Sequence, residues 1–262
     1  MPPVHLPAGS RVLITGASRG IGRITAEAFA RRGCTLGLVA RSEDQLGEVL
    51  AGLPSGDHQA LPADVTDRES VTAAIDRFGS VDVAIANAGR ADYRPFKDMD
   101  LETVEEMTRL NWLGTVYTVK AVLAGMLERR RGHLVLVSSG AGLRSFPSGA
   151  VYGATKAAQR AFGEALWHEL DGTGVSLTMV YPGEVRSSIH EGKTDLPEWR
   201  RHSEEAEPEP LAEAIVAAVE QDTPAVYYPK VLRGLRAAHG LSPRLADRLV
   251  RRMRGRSAAP RG

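Results

Sequence analysis

The sequence predicts an α/β fold built on a doubly wound parallel sheet, and two observations predict it. Apolar runs of strand length alternate with amphipathic runs of helix length along most of the 262 residues, as repeated βαβ units do. The first strand and helix are joined by a glycine-rich turn over residues 16–22. A hydrophobic content of 43% and a charged content of 25% are ordinary for a globular protein, and a chain of this length can bury one full core.

The elements follow one another in a regular order. The predicted strands cover residues 11–15, 36–39, a run ending at 64–65, 81–86, 133–139, 176–180 and 225–228. Amphipathic spacing predicts helices after the glycine-rich turn and over residues 42–50, 67–78, 101–130 and 151–170. Residues 140–149 are predicted to form a loop. This alternation favours a parallel sheet over an antiparallel one.

Residues 16–22, with the sequence Gly-Ala-Ser-Arg-Gly-Ile-Gly, are a candidate phosphate site. Glycines let the backbone approach a pyrophosphate closely, and the N-terminus of the next helix offers unpaired N–H donors. The alternative is a plain tight turn. The glycine spacing differs from the Gly-x-Gly-x-x-Gly of the best-known dinucleotide fingerprint, and no Lys-Ser/Thr pair follows as in a Walker loop.

Two arginines indicate which nucleotide such a site would prefer. Ala40 stands at the end of the second strand, where an acidic residue would bind a ribose 2′-hydroxyl, and Arg41 follows it. Arg19 lies inside the glycine-rich turn. Two guanidinium groups at one end of the cofactor suit a 2′-phosphate and favour NADP over NAD.

Tyr152 and Lys156 are the candidate acid–base pair. Residues four apart share one helix face, so the ammonium group would lie beside the phenol. A phenol has a pKa of about 10 in water, which a nearby positive charge can lower. The alternative is a solvated helix face. Ser139 ends the fifth strand, where ligands of open α/β sheets bind, and Asn111 lies inside the 101–130 pattern, where a satisfied structural amide is the alternative.

Together these motifs resemble the classical short-chain dehydrogenase/reductase family over about residues 10–229. The matching motifs are Thr15-Gly-Ala-Ser-Arg-Gly-Ile-Gly22, Asp64-Val65, Asn87-Ala-Gly89, Asn111, Ser139, Tyr152-x-x-x-Lys156 and Pro182-Gly183. The resemblance implies a Rossmann-like sheet of about seven strands in the order 3-2-1-4-5-6-7, with helices on both faces. It places residues 1–229 in one domain that includes a substrate loop, 187–210, and leaves 230–262 as a basic extension.

The resemblance also implies roles. Tyr152 would be the general acid/base, Ser139 would stabilise the substrate oxygen, and Lys156 would hold the nicotinamide ribose and lower the pKa of the tyrosine. Asn111 would position a water in a proton relay. The residues assigned to the cofactor are Gly16, Ser18, Arg19, Gly20, Ile21, Gly22, Arg41, Asp64, Val65, Asn87, Ala88, Gly89, Tyr152, Lys156, Pro182, Gly183, Val185 and Ser187. Ala86 and Ser187 depart from the family's usual asparagine and threonine.

These observations favour an NADP(H)-dependent oxidoreductase acting on a ketone/secondary-alcohol pair. NAD(H) is the less favoured cofactor, and a catalytically silent NADP(H)-binding sensor or scaffold is the alternative function. The histidines of the substrate loop lack metal-ligand spacing, so no metal site is predicted. With Leu143, Phe146 and Trp199 as possible walls, a moderately apolar carbonyl compound is the expected substrate. The family resemblance implies a homodimer or homotetramer.

The basic tail needs its own explanation. From Lys230 onward ten basic residues and one acidic residue give +9, while the preceding 23 basic and 31 acidic residues give −8. The tail could pack on the acidic body and a partner subunit, lie on an anionic membrane, or be disordered. It has no interleaved aromatic residues, which argues against nucleic-acid binding. No secretory signal or transmembrane run is visible, so a cytoplasmic protein is expected.

Overall fold

A seven-stranded parallel sheet forms the centre of the computed structural model, which describes residues 6–186, 205–234 and 242. The strands are β1 (Arg11–Thr15), β2 (Thr35–Ala40), β3 (Gln59–Pro62), β4 (Val83–Ala86), β5 (Gly132–Val137), β6 (Val175–Pro182) and β7 (Ala225–Tyr228). Their order in the sheet is β3-β2-β1-β4-β5-β6-β7. The predicted fold class and strand order are therefore confirmed.

Helices cover both faces of this sheet. They are α1 (Gly20–Arg31), α2 (Glu43–Ala51), α3 (Arg68–Phe78), α4 (Leu101–Met107), α5 (Gly114–Glu128), α6 (Gly140–Leu143), α7 (Ala150–Glu169) and α8 (Glu209–Glu220). Successive residues of β1 alternate between two apolar cores, because side chains of a strand point to opposite faces. Leu13 packs with α3, α5 and α7, whereas Val12 and Ile14 pack with α1, α2 and α8.

Several local features differ from the sequence prediction. The third strand ends at Pro62 and not at residues 64–65, and the helix Glu209–Glu220 was not predicted. The single helix predicted over residues 101–130 is divided into α4 and α5 by a π-helical segment, Thr108–Leu113. The loop predicted over residues 140–149 contains the short helix α6, because the hydroxyl of Ser139 caps it and accepts a hydrogen bond from Ala141 N at 3.1 Å. This short helix consists mostly of glycine and alanine, so its sequence shows no amphipathic periodicity that would predict a helix.

The carboxyl ends of the strands define one edge of the sheet. β1 pairs with β2 on one side and with β4 on the other. The connections after β1 and β4 therefore run in opposite directions, and this arrangement leaves a crevice at the carboxyl edge of the sheet. None of the helices within residues 6–186 and 205–234 combines the length and the hydropathy of a membrane span. Most of the substrate loop and most of the basic tail, with Ser187 and Trp199, lie outside the described residues.

Candidate active site

The glycine-rich turn between β1 and α1 forms one wall of the crevice. Gly16 has a φ of +67°, a conformation that side chains other than glycine rarely adopt. A Cβ atom on Gly16 would lie 2.8 Å from Ala88 Cα, and one on Gly22 would overlap the carbonyl oxygen of Gly16. The turn therefore requires glycine at both positions, and it directs the N-terminus of α1 into the crevice.

A hydrogen-bonded clamp ties this turn to the end of β4. The side-chain amide of Asn87 donates to the carbonyl oxygens of Thr15 and Gly16 at 3.0 and 3.2 Å. The hydroxyl of Thr15 in turn accepts from the backbone N–H groups of Asn87 and Ala88 at 3.1 and 3.2 Å. Asn87 thus supports the turn with its side chain. Thr15 is a supporting residue that the sequence analysis did not single out.

Arg19 and Arg41 lie on the outer side of the same crevice. Arg19 immediately precedes α1, and Arg41 immediately follows β2. Both side chains are exposed, and within the described residues neither guanidinium group has a hydrogen-bond or ion-pair partner. Their charges are therefore available to an anionic ligand.

Asp64 and Val65 follow β3 and have structural contacts of their own. The Oδ1 atom of Asp64 accepts hydrogen bonds from the N–H and hydroxyl groups of Thr66 at 2.9 and 2.8 Å. Val65 is buried against the first turn of α5. The contact is so close that a Cβ on Gly114 would lie 2.9 Å from Val65 Cγ2. The two residues therefore follow β3 at the carboxyl edge of the sheet.

The opposite wall of the crevice is formed by α7 and the end of β5. Tyr152 and Lys156 both point inward from α7 and are buried. Lys156 Nζ donates to the carbonyl oxygen of Val137 at 2.9 Å and lies 6.0 Å from the centre of the Tyr152 ring. The two side chains are neighbours, as the four-residue spacing predicts, and the ammonium group is anchored to β5.

Ser139 completes this group. Its hydroxyl lies 3.4 Å from the carbonyl oxygen of Pro182, and it is close enough to the phenol of Tyr152 to lower the pKa of that group. One hydroxyl proton cannot serve both acceptors, and the contact with Pro182 is long for an O–H···O bond. The hydroxyl can therefore direct its proton to the phenol or to an oxygen bound beside it.

Burial shifts the pKa values of the two ionisable side chains in opposite directions. It raises the pKa of Tyr152 to about 12; the hydrogen bond from Ser139 opposes this shift and the carboxylate of Glu184 adds to it. Burial also lowers the pKa of Lys156 to about 7. The phenol is thus protonated at neutral pH, and the lysine gives up its proton far more readily than a lysine in water does. The lowered tyrosine pKa expected from the pair is not what this structure shows.

Asn111 lies in the π-helical segment and is fully buried. Its Oδ1 atom accepts from Arg90 N at 2.8 Å, and its Nδ2 atom donates to the carbonyl oxygen of Arg90 at 2.9 Å and to Thr155 Oγ1 at 3.0 Å. A Cβ on Gly89 would lie 3.1 Å from Asn111 Oδ1 and 3.5 Å from Lys156 Nζ. Asn111 and Lys156 therefore border the same small space beside Gly89.

Comparison with known proteins agrees with this arrangement. A family model of short chain dehydrogenases matches residues 10–197. An uncharacterized oxidoreductase of Listeria monocytogenes is 36% identical over 192 residues, which cover 70% of this chain and 77% of the relative. The chain belongs to the short-chain dehydrogenase family. It is an oxidoreductase of that family.

Two solved structures are similar over most of this short-chain dehydrogenase. One from Streptomyces avermitilis, described as a short-chain dehydrogenase, has a TM-score of 0.80 and 28% identity, covering 94% of this chain and 96% of that one. An alcohol dehydrogenase from the archaeon Thermococcus sibiricus, complexed with 5-hydroxy-NADP, has a TM-score of 0.72 and 30% identity, covering 83% of this chain and 95% of that one.

The segment after β6 closes one side of the dehydrogenase's crevice. Gly183 N donates to the carbonyl oxygen of Tyr228 at 2.6 Å, which ties this segment to β7. Val185 is buried and pairs with Ala206 through an isolated β-bridge. Residues 183–186 are thus held against the chain that returns after the substrate loop.

Tyr93 and Phe146 are two site residues to which the sequence gave little weight. The Tyr93 ring meets the Tyr152 ring edge to face, with centroids 5.6 Å apart, and lies 5.7 Å from the Phe146 ring. All three belong to a small apolar cluster separate from the two main cores. Phe146 was predicted as a pocket wall, but Tyr93 lies in an aperiodic loop and gave no signal in the sequence.

Proposed function

We propose that this short-chain dehydrogenase is an NADP(H)-dependent oxidoreductase that interconverts ketones and secondary alcohols, with Tyr152 as the general acid/base. The observation that carries the proposal is the convergence of Ser139, Tyr152 and Lys156 at the carboxyl end of β5. A hydroxyl, a protonated phenol and a buried amine at one point suit proton exchange with a carbonyl oxygen.

The residues of the other wall fit a dinucleotide. The close packing that requires glycine at Gly16 and Gly22 holds the turn at the N-terminus of α1, where unpaired N–H groups would bind a pyrophosphate. The guanidinium groups of Arg19 and Arg41, which have no partner among the described residues, suit the 2′-phosphate of NADP(H). The bound nicotinamide would supply or accept the hydride. The NADP analogue in the Thermococcus relative supports a nicotinamide dinucleotide as the cofactor.

The chain's own residues would handle the proton. In carbonyl reduction, Tyr152 would donate its phenolic proton to the substrate oxygen while the Ser139 hydroxyl hydrogen-bonds to that oxygen. The high pKa of Tyr152 keeps the phenol protonated before this step. The phenolate that remains would be stabilised by the ammonium group of Lys156, and Asn111 would hold the relay position behind it. Alcohol oxidation would run the same transfers in reverse.

The aromatic side chains narrow the class of substrate. Tyr93 and Phe146 pack in one cluster with the catalytic ring, whereas Leu143, also expected as a wall, is buried in the main core that contains Leu232. Such a wall favours a carbonyl compound with a bulky apolar or aromatic substituent, because burying apolar area stabilises the complex. The homodimer or homotetramer implied by the family stays a prediction.

The first test is a panel of alkyl and aryl ketones and the matching alcohols, followed by NADPH absorbance. Turnover that disappears in a Ser139→Ala/Tyr152→Phe double variant would support the oxidoreductase. Tight NADPH binding with no turnover of any compound would instead favour the sensor or scaffold.

The cofactor assignment is tested by Arg41→Ala. Loss of one charge-assisted contact of about 1.5–3 kcal/mol should raise the NADPH dissociation constant about 10- to 100-fold. NADH lacks the 2′-phosphate, so its dissociation constant should barely change. Intrinsic fluorescence quenching measures both. Arg77→Ala, which removes an exposed arginine from the far end of α3, is the matched control. Equal losses for the two cofactors in Arg41→Ala would refute the 2′-phosphate role.

A further inference from the structure

Helix α7 turns a third polar side chain toward the interior besides Tyr152 and Lys156. Gln159 lies at the seventh position after Tyr152, so all three share one face of the helix. Its side chain is completely buried, which is unusual for glutamine. The proton transfers described above do not use it.

Gln159 binds the main chain of the π-helical segment that carries Asn111. Its Nε2 atom donates to the carbonyl oxygen of Asn111 at 2.8 Å and to the Thr115 hydroxyl at 2.6 Å. The Thr115 hydroxyl donates to the same carbonyl oxygen at 2.9 Å. Because Thr155 also contacts the Asn111 side chain at 3.0 Å, α7 holds Asn111 by its side chain and by its backbone.

The hydrogen-bond network fixes the orientation of the Gln159 amide. The Thr115 hydroxyl donates its single proton to the carbonyl oxygen of Asn111, so it accepts the hydrogen bond that it forms with Gln159. The Nε2 group has two protons, and these two acceptors use both. A flipped amide would place Oε1 against the carbonyl oxygen of Asn111, with no proton between them. Within the described part of the chain, Oε1 is left without a hydrogen-bond partner.

An unpaired buried carbonyl oxygen costs free energy. Methionine has a similar shape and would fill this position without that cost, and the carbonyl oxygen of Asn111 would keep its bond from Thr115. Stability alone therefore gives little reason for a glutamine here. What the glutamine adds is a second anchor on the π-helical segment.

That segment determines where Asn111 points. Hydrogen bonds of a π turn are poorly supported compared with those of an α-helix, and such turns persist where a side chain interrupts the regular ladder. Reversion to a regular helix would remove one residue from the turn and rotate α4 relative to α5 by about 100°. Asn111 would then leave the space that it shares with Lys156 beside Gly89.

We propose that Gln159 is a positioning residue of the active site, which holds the π-helical segment so that Asn111 stays beside Lys156. This inference rests on the proposed oxidoreductase function for its kinetic consequence. Its structural part, the anchoring of residues 108–113, does not depend on turnover.

The test is Gln159→Met. Misplacement of Asn111 should lower kcat about 10- to 100-fold, while the KM values for cofactor and ketone stay within about 2-fold. The solvent deuterium isotope effect on kcat should rise, because proton transfer becomes more rate-limiting. The melting temperature should not fall. Thr118→Val is the matched control, because it deletes another buried hydroxyl that bonds to a carbonyl oxygen of α5, and its kcat should be unchanged.

Amide hydrogen exchange in the cofactor-free protein provides the second measurement. Residues 108–113 should exchange faster in Gln159→Met and Thr115→Val than in the wild type and in Thr118→Val. A wild type that turns over no compound would defeat the proposed function, yet the exchange data would still test the anchor. The inference is overturned if exchange over residues 108–113 is unchanged, or if the melting temperature falls while kcat per folded molecule stays the same.

Discussion

The two ends of β5 each bury an ionisable side chain, and the protein treats them differently. At the amino end, His133 is buried and its Nε2 atom lies 2.8 Å from the Thr178 hydroxyl. At the carboxyl end, the carbonyl oxygen of Val137 accepts a hydrogen bond from Lys156. Burial lowers both pKa values, that of His133 to about 4 and that of Lys156 to about 7.

A lowered pKa therefore does not by itself identify a catalytic group. Asp222 is the one neighbouring charge that shifts the pKa of His133, and its effect opposes that of burial. Lys156 instead neighbours Tyr152, whose pKa moves in the opposite direction, and it shares a small space with Asn111. Two titratable groups with pKa values pushed apart, at the edge where ligands bind, are characteristic of acid–base catalysis. Substitutions at Tyr152, Lys156 and His133 should therefore distinguish burial that serves catalysis from burial that affects stability alone.

Tyr152→Phe should have the largest effect. It removes the proton donor and should lower kcat by about 10²- to 10⁴-fold, the usual contribution of general acid–base catalysis. NADPH binding should stay nearly intact, because the ring and the glycine-rich turn remain. Steady-state kinetics and fluorescence quenching measure the two quantities. Tyr117→Phe on α5 is the control, and comparable activity in Tyr152→Phe would end the proposed mechanism.

Lys156→Met should change activity and stability in opposite directions. We expect kcat to fall by about 10²-fold while the cofactor-free protein becomes more stable near pH 7. The folded pKa of about 7 lies below the ordinary 10.5, so stability associated with this lysine is present above pH 10.5 and is lost as the pH falls toward 7. Methionine avoids that loss.

Urea denaturation of wild type and Lys156→Met at several pH values measures this difference. The advantage of the variant should be greatest at pH 7 and should shrink as the pH approaches 10.5. A variant less stable than the wild type at pH 7 would show that the bond to Val137 outweighs the cost of burying the ammonium group. Burial of Lys156 at the carboxyl end of β5 would then stabilise the protein and could not be explained by catalysis alone.

The sequence was sufficient for the features that local pattern determines. Alternating apolar runs predicted the sheet, and helical spacing placed Tyr152 and Lys156 on one face of α7. It was insufficient for features that depend on distant contacts. The π-helical segment is stabilised at Asn111 by groups 21 and 44 residues away, and no local pattern encodes such partners.

The same limit applies to supporting residues. Thr15 contacts Asn87 across two strands, 72 residues apart in the sequence. Gln159 reads as one more polar residue of an amphipathic helix until its contacts with Asn111 and Thr115 are seen. The burial that raises the pKa of Tyr152 is also invisible in the spacing, which shows only the nearby lysine.

His133→Gln should have the smallest effect, and on stability alone. The Thr178 hydroxyl donates to Thr223 O at 2.7 Å, so His133 must donate from Nε2 and keep Nδ1 unprotonated. Its folded pKa of about 4 lies below the ordinary 6.5. The stability associated with the neutral ring is therefore present above pH 6.5 and is lost as the pH falls through 4.

Glutamine can supply the same donor to Thr178 without titrating. Between pH 7 and pH 4 the wild type should lose about 3 kcal/mol of unfolding free energy more than His133→Gln, at about 1.36 kcal/mol for each pH unit of the shift. Urea denaturation measures this loss. His168→Gln, at an exposed position of α7, should follow the wild type, and kcat at pH 7 should be the same in all three proteins. A fall in kcat for His133→Gln would mean that the two ends of β5 are coupled, and burial at the amino end would then also serve the chemistry.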